Sequence, residues 1–198
     1  MEDGGARMRQ SATRQLFRYW NELRGGRAAP ERDSIDPAAI VSVLPDTFIL
    51  EVDPAFAFPF RLVGARTNAL FDAQLKSSSF VELWRPQDRA AVRAMLLTTL
   101  DGACPVVAGA SAAAADRAPV ELELLVLPLR HFGKTHARLL GCLTPARHPP
   151  WFGLMPAQPL ELISMRVVRP DQTTLLKKSE SPAHDARRRF VVLPGGRN

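Results

Sequence analysis

The residues that could carry chemistry in this chain are few and scattered. His131 and His136 stand five positions apart around a polar turn, and Cys104 and Cys142 are 38 apart. Neither spacing makes the tight CxxC or HxxxH pair that brings two ligands to one metal, so no metal site is expected. Glu121 and Glu123 alternate on a stretch with strand character and so point to one face, the arrangement a pair of acid–base carboxylates would need. A solvated strand face is the simpler account of the same pattern. Ser77-Ser78-Ser79 has no partner base in view, and the chain carries no G-x-S-x-G, Walker loop or dinucleotide fingerprint. The expectation is a protein with no catalytic residue, no metal and no cofactor, hence not an enzyme.

The unusual stretch lies elsewhere. RYWNELRGGRAAPERDSIDP, residues 18–37, packs aromatic residues and arginines beside a double glycine, with no nucleophile, base or phosphate loop. It begins inside a segment whose spacing predicts an amphipathic helix over 11–24. Ala12, Leu16, Trp20 and Leu23 recur at four, four and three residues, Phe17 and Tyr19 widen the stripe, Ser11 is the expected N-cap, and Gly25-Gly26 ends it. Asp36-Pro37 opens a short second helix that Leu44-Pro45 stops.

Two strands are expected next, 47–53 and 58–63, paired as a hairpin with Phe58, Phe60 and Leu62 on one face. A short helix follows at 65–72, and a short helix or turn at 79–84. A longer helix over 87–100 turns Val92, Met95, Leu96 and Leu100 inward. Three strands complete the core: 105–115, 120–129 and 137–144. The second alternates at first and then becomes continuously apolar, as an edge or half-exposed strand would. Residues 160–168 alternate enough for one more short strand. The order gives an α+β fold, a five-stranded antiparallel sheet with a helical crossover on one face.

Bulk numbers fit this reading. The 198 residues are 46% hydrophobic and 23% charged, ordinary for a folded domain. No stretch approaches the roughly 18 apolar residues of a membrane span. The polar start MEDGGARMRQ does not read as a signal peptide, and two cysteines do not make a disulfide framework, so a reducing cytoplasm is expected. The net charge of +6 is concentrated late in the chain: residues 166–198 hold eight Lys/Arg against three Asp/Glu. Four segments are therefore expected: a flexible start over 1–10, a helical extension over 11–46, the core domain over 47–168, and a basic, flexible tail over 169–198.

The element order is that of a PAS domain, and the chain resembles the alphaproteobacterial PAS_5 group of single-PAS proteins. The resemblance is carried by Tyr19-Trp20, Leu23-Arg24-Gly25-Gly26-Arg27, Pro30, Arg32, Ile35-Asp36-Pro37 and Leu44-Pro45. Further on it is carried by Phe60-Arg61-Leu62-Val63-Gly64, Leu70-Phe71, Leu124 to Leu129, Leu140-Gly141, and Pro150-Trp151-Phe152-Gly153. It spans about residues 14–168, with a closing echo at Phe190 to Arg197. It implies a PAS fold with an N-terminal helical extension and a role in sensing or protein–protein regulation, with no established ligand. Flavin-photochemical PAS domains carry an Asn-Cys-Arg motif, which neither cysteine here has, and no histidine stands in the 65–100 region to ligate haem.

Two sets of residues follow as candidate sites. Phe58, Phe60, Leu62, Leu70, Phe71, Phe80, Trp84, Leu96, Leu124 and Val126 are expected to surround the interior between sheet and crossover helices, as a packed core or as the wall of a small-molecule pocket. Leu16, Tyr19, Trp20, Leu23, Arg24 and Arg27 are expected to form a lid over the sheet's other face, with the arginines meeting Glu31, Asp33 and Asp36. The expected function is a non-enzymatic signalling module that acts by contact with a partner protein or a second copy. The alternative is association with nucleic acid or an anionic surface through the basic tail, marked by strong salt dependence.

Overall fold

The computed structural model describes residues 8–169; the basic tail, with Lys177-Lys178 and Arg187-Arg188-Arg189, lies outside the described residues, as does most of the segment 1–10. Helix α1 (Ser11–Arg24) forms where the apolar stripe predicts it. Its cap position belongs to Gln10 rather than Ser11, and no side chain of the cap residue bonds the first turn. Gly25 ends the helix at φ 57°, a conformation that costs a residue without Cβ little. Asp36 caps as expected, accepting from Ala38 N at 2.9 Å, but Pro37–Ile40 forms a 3-10 turn rather than an α-helix. Leu44-Pro45 does not end the helical run; it opens another 3-10 turn, Leu44–Asp46.

The sheet then builds from β1 (Thr47–Glu51), β2 (Phe60–Val63), β3 (Val106–Ala112), β4 (Val120–His131), β5 (Lys134–Pro145) and β6 (Glu161–Val167). Helices α2 (Ala65–Phe71) and α3 (Arg89–Asp101) lie in the crossover between β2 and β3. The strands run antiparallel in the order β2-β1-β5-β4-β3-β6. The count is therefore six, not five. The short strand expected after the core pairs with the outer side of β3, which would otherwise present an open row of backbone donors and acceptors.

Strand β4 is central, which corrects the edge or half-exposed reading of 120–129. Its continuous apolar run arises because both faces are covered. Leu122, Leu124 and Val126 pack in the cluster on the α2/α3 side, and Leu125, Leu127 and Leu129 pack in the cluster under α1. Two glycines permit close approaches. A Cβ on Gly141 would stand 2.2 Å from the ring of Phe48, its partner on β1, and one on Gly64 would stand 2.3 Å from the Pro45 carbonyl oxygen.

The β1–β2 hairpin forms with a bulge. Ile49 opposes Leu62 but Leu50 opposes Phe60, so Arg61 is the extra residue. The bulge breaks the alternation. Phe60 stays inside, and Leu62 turns outward to 50% exposure.

Candidate functional site

The two candidate sets lie on opposite faces of the sheet. On the α2/α3 face, Phe58, Phe60, Leu70, Phe71, Phe80, Trp84, Leu96, Leu124 and Val126 all belong to one buried cluster. Leu62 does not, for the reason given by the bulge, and it is removed from the interior set. The rings of Phe48, Phe60, Phe80 and Trp84 meet in edge and tilted contacts with centroids 5.3 to 5.9 Å apart. Such pairs add about 0.5–1.5 kcal/mol each beyond the area they bury. Trp84 Nε1 sits within this apolar wall, buried and with no hydrogen-bond partner among the described residues. Clefts of about 450 and 590 Å³ on the described surface are lined by other residues.

On the other face, Leu16, Phe17 and Trp20 are buried against Ile49, Val107, Leu125, Leu127 and Leu140, while Tyr19 and Leu23 pack at the margin. Burying each of these large apolar side chains contributes roughly 1.5–3 kcal/mol. Both ends of α1 are fastened to β4. At the C-terminal half, Trp20 Nε1 donates to Pro128 O at 2.8 Å, and the returning chain adds Arg130 N to Pro30 O at 2.9 Å and an Arg130–Glu31 ion pair at 3.3 Å. Strand β3 pairs with β4 only as far as Val126, so Pro128 sits where a missing N–H costs no ladder bond.

At the N-terminal end, Glu123 does the fastening. Its carboxylate accepts from Arg9 N at 2.7 Å, Gln10 N at 3.0 Å and Thr13 Oγ1 at 2.5 Å. Glu123 is only 7% exposed. A buried carboxylate needs such donors, and a negative charge at a helix N-terminus is favoured by the helix dipole. Glu121 shares its face of β4 but stays exposed, with Arg9 at 3.9 Å. The two glutamates thus divide into a buried anchor for the entry to α1 and a surface charge. The sequence shows their shared face; it does not show that α1 begins above Glu123.

The lid arginines meet carbonyls and a ring. Arg24 lies 5.5 Å over the Trp20 ring centroid and donates to Asn21 Oδ1 and Arg27 O. Arg27 donates to Leu23 O and Arg24 O, satisfying the last turn of α1. The acidic residues expected as their partners are held elsewhere: Glu31 by Arg130, Asp33 near Arg32 at 3.7 Å, and Asp36 in its own turn. Tyr19 ties down that turn by accepting Asp36 N at 2.8 Å.

The remaining polar candidates serve structure. Ser78 and Ser79 donate to Leu75 O and Ala57 O. Cys142 is buried, its thiol pushed up to about 12 by desolvation, while Cys104 is half-buried. The His131 ring rests on Phe132 with centroids 4.3 Å apart. Among the described residues, no three His, Cys, Asp or Glu side chains gather as a metal site. None of the helices described is long and apolar enough to cross a membrane.

Compared with known families, residues 8–144 match the PAS_5 model, described as a PAS domain. The match starts before α1, so helix, Glu123 and the sheet through β5 fall inside it, and β6 falls outside. No curated protein matches the chain.

Proposed function

Because the chain belongs to the PAS_5 family of PAS domains, a class of signalling and sensory modules, we propose that it is a non-enzymatic regulator that passes its signal by protein contact through α1. The observation that supports this reading is the double fastening of α1 to β4. Alternate residues of that strand pack into the interior cluster and into the cluster beneath the helix. A small molecule lodged among Phe58, Phe60, Phe80 and Trp84 would shift β4 and so bias how α1 sits. The lid residues Leu16, Tyr19, Trp20, Leu23, Arg24 and Arg27 are the coupling element in this proposal, and its setting is the cytoplasm.

The test is a photo-cross-linkable residue in place of Arg18, which is exposed on α1, in the host cell. A discrete adduct, to one protein or to a second copy, is the expected result. Recovery of the bare chain alone would overturn docking through α1. Native against denatured mass addresses the interior separately: an added few hundred daltons, lost on denaturation, identifies a bound ligand.

A further inference from the structure

The turn between β3 and β4 and the segment after β5 enclose a cleft of about 590 Å³, within the usual range of small-molecule sites, about 300–1,000 Å³. Its polar wall is cationic. Arg117 and Arg147 line it, both exposed, and neither guanidinium has a partner among the described residues. Of the nearby carboxylates, Glu121 lies 3.9 Å from Arg9, Asp46 pairs with Arg66 at 2.8 Å, and Asp116 stands exposed beside Arg117 in the turn. His148 adds a ring at the same wall, edge-on to Phe152.

Trp151, Leu154 and Met155 give the same cleft an apolar lining, and Leu154 is 77% exposed. Trp151 is 5% exposed, reaches into the interior cluster, and its Nε1 has no hydrogen-bond partner. Two guanidiniums without partners among the described residues, lining one cleft with the exposed Leu154, form a complementary surface for one kind of occupant. The flat fork of an arginine takes a carboxylate or phosphate by paired hydrogen bonds, and an apolar body removes the wall from water.

We propose that this cleft binds a small organic anion, with its acid group on Arg117 and Arg147 and its apolar body on Trp151 and Leu154. Arg117 lies inside the family match, and Arg147, His148, Trp151 and Leu154 lie past its end at residue 144. The cleft opens beside the interior discussed above and shares Trp151 with it, and the failure of this proposal leaves that reading untouched.

The probes are naphthoate, its neutral amide, and inorganic phosphate, titrated into the full chain and followed by the three indole N–H signals in nitrogen-edited proton NMR. Trp20, Trp84 and Trp151 are assigned by single replacements with Phe. Naphthoate is expected to move the Trp151 signal saturably, with the amide and phosphate each at least about tenfold weaker. The double variant Arg117→Gln/Arg147→Gln is expected to weaken naphthoate about tenfold while the free Trp20 and Trp84 signals stay in place, which shows that it folds. Equal binding of acid and amide, equal binding of phosphate, or an unchanged affinity in the double variant overturns the proposal. So does a response at Trp84 in place of Trp151, which would move the ligand to the interior, and so does no response at all.

Discussion

Glu123 and Thr13, separated by 110 residues in the chain, meet in a buried hydrogen bond of 2.5 Å that closes the N-terminal helix onto the central strand of the sheet. The same carboxylate takes the backbone N–H groups of Arg9 and Gln10, just ahead of the first turn. One side chain thereby pins the entry to α1 onto the sheet. Replacing it with Ala strands those donors, each hydrogen bond to a charged acceptor being worth about 1.5–3 kcal/mol. Glu123→Ala is expected to lose roughly 2–4 kcal/mol in chemical denaturation. It is also expected to speed amide exchange across residues 9–16 more than in β5. Uniformly faster exchange would show that Glu123 supports the whole core rather than the helix.

Trp20 separates packing from hydrogen bonding. It is fully buried, and its indole N–H reaches Pro128 O at 2.8 Å. Trp20→Phe gives up mainly the hydrogen bond and is expected to cost about 1–2 kcal/mol, whereas Trp20→Ala opens a cavity and is expected to cost about 3–5 kcal/mol. Equal losses in thermal melts would mean that the hydrogen bond, not the ring, holds the lid.

Gly141 lies beneath Phe48, with room for no Cβ. Gly141→Ala is expected to destabilise by about 1–3 kcal/mol, and Phe48→Leu in the same chain is expected to recover part of that loss. Additive effects in the double-mutant cycle would show that the ring moves aside freely.

The two cysteines should differ in reactivity. Burial holds the Cys142 thiol protonated far above neutral pH, since its ionisation is pushed up to about 12, and Cys104 is half-exposed. Alkylation is carried by the thiolate. Mass spectrometry after mild iodoacetamide treatment should find one adduct, at Cys104, on the native chain and two on the denatured chain. Native labelling at Cys142 would contradict the burial of that side of the sheet.

Asp46 gives a pH dependence with a defined sign. Burial raises its carboxyl above the ordinary 3.8, and the Arg66 guanidinium offsets only part of that rise. The folded state therefore holds the proton more tightly than the unfolded chain. This contribution to stability is full below 3.8 and is lost as pH rises through the higher folded value. Asp46→Asn does not titrate and its oxygen can still accept from Arg66. Its melting temperature relative to the parent is expected to be most favourable near neutral pH and to decline on acidification. A difference that grows on acidification would reverse the assignment.

Much of this architecture could be read from local patterns. The 3.6-residue stripe of Leu16 and Trp20 with Gly25 set the limits of α1, and Asp36-Pro37 set the start of the next turn, because periodicity and capping act over a few residues. The two candidate faces were legible for the same reason. What the chain could not declare locally was the register between distant elements. The bulge at Arg61 that turns Leu62 outward, the sixth strand that makes β3 an interior strand, and the double-sided burial of β4 depend on which strand lies beside which. Glu123 is the sharpest case. Its alternation with Glu121 determined its face, but only the docking of α1 over that position decided that one glutamate is buried against the entry to the helix and the other remains in water. A charge is tolerated inside only where donors converge on it, and these donors come from the other end of the domain.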